Sequence, residues 1–154
     1  MRGVSIWLAA AAVGAIMTVG GANAADRATK EQAIAMVNKA VAYIKANGTE
    51  KAYAEIDKKG GMFTDRDLYI IVYGFDGHVL AHGANAKLIG TDQSNAKDSN
   101  GKAFVAERVA LAKKGQPFWQ DYTFMDPLTH TVQPKETYCQ PLNDTAVCGG
   151  VYKQ

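Results

Sequence analysis

Seven aromatic and hydrogen-bonding side chains stand out as candidates for binding a small molecule. An aromatic pocket with a few convergent polar groups is typical of small-molecule sites. In such a pocket a lysine supplies a positive point charge for a carboxylate, and tyrosine and histidine add directional hydrogen bonds. The alternative is that the rings pack in the core and the lysine faces solvent. The candidate ligand-binding residues are Tyr69, Tyr73, His82, Trp119, Phe124, Lys135 and Tyr138.

The spacing of nucleophilic, metal-ligating and phosphate-binding residue types does not indicate an enzyme. After residue 24 the only serines are Ser94 and Ser99, and the sequence has no Gly-x-Ser-x-Gly turn. His78 and His82 are four strand residues apart, about 13 Å, which is too far for two ligands of one zinc ion. No glycine-rich phosphate loop follows a strand. We therefore predict no catalytic residue, no metal and no cofactor.

The two cysteines flank a turn sequence between two strand-like segments. If Asn143 and Asp144 form the centre of a hairpin, Cys139 lies opposite Cys148 at a non-hydrogen-bonded position, where strands approach most closely. A disulfide is sterically feasible there and is favoured outside the cytosol. We predict a structural disulfide. The alternative is a thiol-redox protein that uses the same pair, although the spacing is not Cys-x-x-Cys.

The first 24 residues have the pattern of a secretory signal peptide. Arg2 gives a positive start, an apolar segment runs over residues 4–19, and residues 22–24 fit the small-x-small cleavage pattern. The apolar segment is shorter than the roughly 20 residues that a membrane-spanning helix needs, which disfavours the alternative of a permanent anchor. We predict cleavage after Ala24 and a periplasmic or secreted protein made of residues 25–154.

Composition indicates one soluble domain and no nucleic-acid partner. The chain has 154 residues, of which 47% are hydrophobic and 21% charged, as in an ordinary globular protein. Its formal net charge is +2, and without residues 1–24, which carry only Arg2, 16 basic residues face 15 acidic ones, or +1. This balance leaves no basic patch of the kind that binds nucleic acid.

The periodicity of apolar residues predicts the elements that position the candidate side chains. Thr29 and Gln32 form a capping-box pattern ahead of an amphipathic helix that ends at Asn47-Gly48. Thr49 is expected to cap a second helix, and a third follows a long polar loop over residues 83–100. This order predicts an α+β fold with an antiparallel five-stranded sheet. The predicted strands cover residues 68–75, 78–82, 117–124, 134–140 and 146–152.

A series of short motifs follows in a characteristic order over residues 63–152. The motifs are Phe63–Tyr69 (FTDRDLY), Asp76–His82 (DGHVLAH), Leu88–Gly90 (LIG), Lys97–Phe104 (KDSNGKAF), Trp119 with Tyr122, Asp126-Pro127, Pro134–Tyr138 (PKETY) and Gly150–Tyr152 (GVY). Together they resemble the single Cache domains of the second type, which are PAS-like extracytoplasmic sensor domains. The resemblance covers nearly all of the chain after residue 24.

This resemblance implies a PAS-like Cache fold, with a long N-terminal helix on one side of the sheet and a ligand pocket on the other. It implies reversible binding of a small organic acid of the acetate, propionate, pyruvate or lactate class. Tyr69, His82, Lys135 and Tyr138 are the pocket residues that it implies. Strand alternation places Lys135 and Tyr138 on opposite faces unless a bulge shifts the register, and both are kept as candidates.

The resemblance also implies a role in extracytoplasmic sensing or signal transduction, with a membrane receptor or kinase as a further partner. Members of the family usually lie between membrane-spanning helices. We expect this chain instead to be a standalone exported binding protein. The alternative function is a protein-interaction module that docks a membrane partner and binds no small ligand.

Overall fold

A computed structural model describes residues 27–153, which form three α-helices and six β-strands. The predicted signal segment lies outside the described residues, and its cleavage stays a prediction. None of the helices within residues 27–153 is long and apolar enough to cross a membrane. The elements are α1 (Lys30–Asn47), α2 (Thr49–Ile56), β1 (Thr64–Asp65), β2 (Leu68–Gly74), β3 (Val79–His82), a 3-10 turn (Ala86–Leu88), α3 (Phe104–Ala112), β4 (Phe118–Met125), β5 (Val132–Leu142) and β6 (Thr145–Tyr152).

Local sequence determines both ends of α1. The Thr29 side chain accepts a hydrogen bond from the backbone N–H of Gln32, and the Gln32 side chain accepts one from the backbone N–H of Thr29. This confirms the predicted capping box. The helix ends at Gly48, whose φ of 78° favours glycine. Gly48 also precedes α2, and Thr49 is the first residue of that helix. The prediction that Thr49 caps α2 is therefore wrong.

The sheet is antiparallel throughout. Its strands lie in the order β4-β5-β6-β2-β3, and the two-residue β1 pairs with the start of β2. This confirms the α+β fold and the five predicted strands, to which β1 adds a sixth. β2 is buried along its whole length, as expected for a continuous apolar segment at the centre of a sheet with both faces covered.

β5 and β6 form the hairpin that the cysteine spacing predicted. Leu142 pairs with Thr145 next to the turn, and Cys139 pairs with Cys148 further along. The Cα atoms of the two cysteines are 4.1 Å apart, and their sulfurs form a disulfide. Both cysteines are fully buried. The disulfide therefore links two strands inside the core, and its position disfavours the thiol-redox alternative, which needs an accessible sulfur.

The two faces of the sheet pack against different helices. α1 and α2 cover one face, here called the α1 face, and α3 with the loop before it covers the other, here called the α3 face. The core of the α1 face includes Val37, Ile44, Ile56, Ile70, Val72 and Val147. The core of the α3 face includes Ile71, Tyr73, Val105, Val109, Tyr122, Cys139 and Cys148.

Candidate ligand-binding site

Five of the seven candidate residues share the α3 face. β2 provides Tyr69 and Tyr73, β3 provides His82, β4 provides Phe124 and β5 provides Lys135. The registers between neighbouring strands bring alternate residues of each strand to the same side of the sheet. Tertiary structure therefore gathers candidates that are up to 66 positions apart in the sequence.

Trp119 and Tyr138 lie on the α1 face, which corrects their predicted place in one pocket with Lys135. β5 pairs with β4 and β6 without a register shift, so its side chains alternate strictly and Tyr138 faces away from Lys135. The Trp119 and Tyr138 ring centroids are 5.3 Å apart, and Nζ of Lys30 in α1 is 5.2 Å from the Trp119 ring. These two aromatic residues therefore contact each other and the start of α1.

The Lys135 ammonium is enclosed by aromatic rings. Its Nζ donates to the hydroxyl of Tyr69 at 2.9 Å and to that of Tyr152 at 3.4 Å. The centroids of these rings lie 4.1 and 4.7 Å from Nζ, and that of Phe124 lies 5.7 Å away. Only 2% of Lys135 is exposed. Cation–π and hydroxyl contacts reduce the cost of burying a charge, but they do not neutralise it.

Gly150 in β6 leaves the space that the Lys135 side chain occupies. A Cβ atom at position 150 would lie 2.8 Å from Cε of Lys135 and 2.8 Å from the backbone oxygen of Glu136. It would also lie 2.2 Å from Oγ1 of Thr137, the residue opposite in β5. Any larger residue would displace Lys135 or separate the two strands, so glycine is required here for close approach.

Arg108 in α3 is a second buried cation, and the sequence analysis missed it. Its Nε donates to Oε1 of Gln120 at 2.9 Å. Within residues 27–153 neither Nη atom has a partner at full hydrogen-bond geometry, and the polar groups nearest to them are the hydroxyls of Tyr73 and Tyr122. Its Cζ lies 4.8, 5.2 and 5.5 Å from the ring centroids of Tyr122, Tyr73 and Phe104. The signal was its spacing: position 108 follows Phe104 by four residues, inside the apolar stripe that α3 buries.

No carboxylate among residues 27–153 offsets the charges of Lys135 and Arg108. Neither residue takes part in any ion pair of the described part of the chain. The two buried carboxylates, Asp67 and Asp126, pair with Arg27 instead. The α3 face therefore encloses two cations without an anion, and a bound anion would remove that imbalance.

Burial and the two cations shift the pKa values of the tyrosine hydroxyls in the site. Burial raises the pKa of Tyr73 to about 12 and also raises the pKa of Tyr69. Both hydroxyls are therefore neutral hydrogen-bonding groups at physiological pH. Burial opposes ionisation of Tyr122 as well, but the charges of Lys135 and Arg108 outweigh it and lower the Tyr122 pKa. This reversal shows that the potential around Tyr122 favours negative charge.

His82 contributes a neutral ring to the edge of the site. Its Nδ1 accepts hydrogen bonds from the backbone N–H groups of Ala84 and Asn85, at 3.1 and 3.0 Å. This places the proton on Nε2, which is buried and has no partner within the described residues. The ring stacks on Tyr69 with centroids 4.9 Å apart. His82 can therefore donate one hydrogen bond from Nε2 to a ligand.

Burial, reinforced by the nearby charge of Lys135, lowers the pKa of His82 to about 4. Because an unfolded histidine has a pKa of about 6.5, the unfolded state binds more protons between these values and stability falls with falling pH. We expect His82 to account for about 2 kcal/mol of lost unfolding free energy between pH 7 and pH 5. Urea titrations at both pH values, compared with His82→Asn, measure this contribution. If wild type and His82→Asn lose the same unfolding free energy between pH 7 and pH 5, His82 is not held neutral in the folded protein.

An open cavity of about 540 Å³ adjoins the aromatic rings around Lys135. Tyr69, His82 and Phe124 form part of its wall, and the rings of Tyr69 and Phe124 also face the ammonium. One aromatic layer thus separates the cavity from Lys135. Its volume is within the range of small-molecule sites. The rest of the wall includes Leu68, Asn85, Met125 and Leu128.

Comparisons with known proteins agree with this architecture. A family model described as Single Cache domain 2 matches residues 9–152. The fold resembles that of a methyl-accepting chemotaxis protein from Vibrio parahaemolyticus RIMD 2210633, with a TM-score of 0.69, 21% identity, and coverage of 80% of this chain and 87% of that one. No curated protein matches the chain.

Two further solved structures share the fold. One is a Cache chemosensory domain described for its recognition of carboxylic acids, with a TM-score of 0.68, 24% identity, and coverage of 80% of this chain and 92% of that one. The other is the periplasmic sensor domain of a chemotaxis protein, with a TM-score of 0.62, 22% identity, and coverage of 80% and 90%. At these identities the likeness establishes the fold alone.

Proposed function

Since the chain belongs to the Single Cache domain 2 family, we propose that it is an exported sensor-type domain that binds a small organic carboxylate reversibly. The ligand class is that of acetate, propionate, pyruvate and lactate. The domain binds its ligand without catalysis, and a membrane-bound receptor or kinase responds to the bound state. Export follows from cleavage after Ala24. The chemotaxis proteins that share the fold support a sensory role.

The observation that carries this proposal is the buried Lys135 ammonium. Its only hydrogen-bond partners within the described residues are the Tyr69 and Tyr152 hydroxyls, and no carboxylate pairs with it. Burying an unpaired ammonium costs several kcal/mol, so a protein keeps such a group where its charge is used. A carboxylate that entered from the adjoining cavity and displaced the Tyr69 and Phe124 rings would accept a charge-assisted hydrogen bond from Nζ. One Cache domain of similar fold is described as recognising carboxylic acids, which supports the same ligand class.

The direct test is whether binding requires the negative charge of the ligand. We expect the purified protein, in buffer free of acetate and citrate, to bind at least one of acetate, propionate, pyruvate and lactate. The uncharged amides of the same acids should not bind. A ligand at 100 times its Kd adds about 2.7 kcal/mol to the unfolding free energy, which raises the Tm by several degrees. Thermal shift and calorimetric titration measure both effects.

Two outcomes would contradict the proposal. Equal shifts with acids and amides would show that charge is not recognised. A folded protein that no acid in the panel stabilises would favour the interaction module, and the next step would be a search for its membrane partner.

A further inference from the structure

We propose that the tip of the β4–β5 hairpin, residues 125–132 and here called the hairpin tip, docks this protein on a membrane surface that contains anionic lipids. The inference goes beyond the proposed function, because it concerns a surface of the domain and not the ligand of its cavity. Three observations support it: the apolar side chains exposed at the hairpin tip, the basic charge beside it, and the place where the N-terminal segment joins the domain.

The hairpin tip concentrates the exposed apolar side chains of the described residues. Five large hydrophobic residues in this part of the chain are exposed, and three of them, Met125, Leu128 and Val132, belong to the hairpin tip. Their exposed fractions are 49%, 47% and 49%. Met125 pairs with Val132 across the two strands, so both side chains lie on the same side of the hairpin. Exposed apolar side chains that are grouped in this way indicate a contact surface for a protein or a membrane.

Hydrogen bonds hold the hairpin tip in one conformation. The backbone N–H of Asp126 donates to the backbone oxygen of Thr131, and that of His130 donates to the backbone oxygen of Asp126, both at 2.9 Å. The Asp126 carboxylate accepts from the backbone N–H of Leu128 at 2.8 Å. Because the loop is already ordered, docking costs it little conformational entropy, and burial of its apolar side chains contributes to binding almost in full.

The surface beside the hairpin tip is basic. Met125 and Leu128 form part of the wall of the open cavity, and the charged side chains of that wall within residues 27–153 are those of Lys59 and Arg66, with no acidic residue among them. Arg66 pairs with Asp65, whereas Lys59 takes part in no ion pair of the described residues. A positive charge beside exposed apolar side chains favours a surface with anionic headgroups over an uncharged one.

The N-terminal segment joins the domain at the hairpin tip. Arg27 is the first described residue, and its Nη2 is 2.6 Å from Oδ2 of Asp126, which lies between Met125 and Leu128 in the sequence. The apolar segment over residues 4–19 ends eight positions before Arg27, a stretch that spans at most about 28 Å when fully extended. A bilayer that holds this segment during export therefore lies close to the hairpin tip. This position favours a lipid surface over a second copy of the chain or another protein.

The first test measures whether the hairpin tip enters the lipid. Because the two cysteines of the chain form a buried disulfide, Leu128→Cys supplies the one reactive thiol for an NBD fluorophore. The exported protein is mixed with vesicles of equimolar phosphatidylglycerol and phosphatidylcholine. The NBD emission should shift to shorter wavelength as its surroundings become less polar. Asp144→Cys is the control, because Asp144 is exposed at the other end of β5, about 33 Å from the hairpin tip. Its probe should not shift.

The second test measures affinity by co-sedimentation with the same vesicles. Leu128→Ser/Val132→Ser should weaken binding by about tenfold or more, because two half-exposed apolar side chains no longer leave water. Met62→Ser is the matched control and should bind as wild type does, because Met62 is 44% exposed but lies outside the hairpin tip and the cavity wall. Lys59→Gln should weaken binding to the anionic vesicles by about fivefold, and should leave binding to vesicles of phosphatidylcholine alone unchanged.

Several outcomes would overturn the inference. The absence of a shift at position 128, or equal shifts at positions 128 and 144, would show that the hairpin tip does not enter the lipid. Wild-type affinity in Leu128→Ser/Val132→Ser would assign membrane binding to another part of the chain. A dimer in solution that this double variant dissociates would assign the hairpin tip to a second copy. Titration of small acids without vesicles tests the proposed function separately, so either can fail alone.

Discussion

Lys135→Met is expected to weaken the binding of small organic acids by about 100-fold or more without destabilising the protein. Loss of one partner from a buried, hydrogen-bonded charge pair typically costs about 2–5 kcal/mol of binding free energy. Here the lost partner is the ammonium of Lys135, a residue that is 2% exposed and therefore shielded from water. Methionine keeps an unbranched chain of similar length in the space that Gly150 provides.

The stability of Lys135→Met is not expected to fall along with its affinity for acids. The ligand-free protein bears the cost of a buried ammonium without a counterion, and the variant removes that cost. The variant also removes the contacts of Nζ with the Tyr69 and Tyr152 hydroxyls, which are 2.9 and 3.4 Å long. The Tyr152 hydroxyl still donates to the backbone oxygen of Met125, so the main loss falls on the Tyr69 hydroxyl. We expect the unfolding free energy to stay within about 1 kcal/mol of wild type or to rise.

Calorimetric titration and urea unfolding of the same samples measure the two effects. Lys30→Met is the matched control: Lys30 pairs with Glu136, the neighbour of Lys135 in β5, but on the other face of the sheet. This control should bind acids as wild type does. Wild-type affinity in Lys135→Met would show that the ammonium is not the anchor of the ligand. Equal loss in both variants would indicate a nonspecific effect of charge.

Arg27→Met is expected to destabilise the folded protein by about 2–4 kcal/mol. Arg27 is three residues beyond the predicted cleavage site and pairs with two fully buried carboxylates. Its Nη2 is 2.6 Å from Oδ2 of Asp126, and its Nη1 is 3.4 Å from Oδ2 of Asp67. Although burial opposes ionisation of Asp126, hydrogen bonds from the backbone of Leu128 and from Arg27 lower its pKa. Without the guanidinium, both buried carboxylates lose the ion pair that Arg27 gives them.

A compensated variant separates the charge effect from lost packing. In Arg27→Met/Asp67→Asn/Asp126→Asn the amide oxygens can still accept from the backbone N–H groups of Ala28 and Leu128, which the aspartates hold at 2.8 Å. We expect this triple variant to regain at least about half of the lost stability. Urea unfolding at pH 7 measures all variants. If the triple variant is as unstable as Arg27→Met, the loss comes from packing of the Arg27 side chain and not from unpaired charge.

Lys58→Met provides the reference for an exposed ion pair. Lys58 pairs with Glu55 at the surface, where the exposed lysine side chain lets water screen the pair. Removing it should cost about 1 kcal/mol or less. If Arg27→Met costs no more than this control, the buried carboxylates do not depend on Arg27.

The elements that follow from short-range sequence patterns were predicted correctly. The Thr29–Gln32 capping box depends on two side chains three positions apart, and the structure contains it. The register that pairs Cys139 with Cys148 follows from counting outward from Asn143 and Asp144. Both patterns are local, so the identity and spacing of a few residues determine the geometry.

The sequence predicted which side chains of a strand lie on opposite faces of the sheet, but not which face packs against α1. Strand alternation separated Lys135 from Tyr138, and the structure shows that separation without a bulge. The alternation by itself does not say which face meets α1, so Trp119 and Tyr138 were included as pocket candidates although they contact α1. The choice depends on how helices distant in sequence pack on the sheet.

The sequence by itself determined the fold class, the bounds of α1, the β5–β6 register and the family. Only the tertiary structure decided that Lys135 and Arg108 are both buried, with no counterion among residues 27–153. A lysine in a strand and an arginine in a helix are both compatible with exposure to solvent, because their charge is most stable there. Their burial follows from long-range packing: β2, β4 and β6 surround Lys135, and the rings of Tyr73 and Tyr122 cover Arg108.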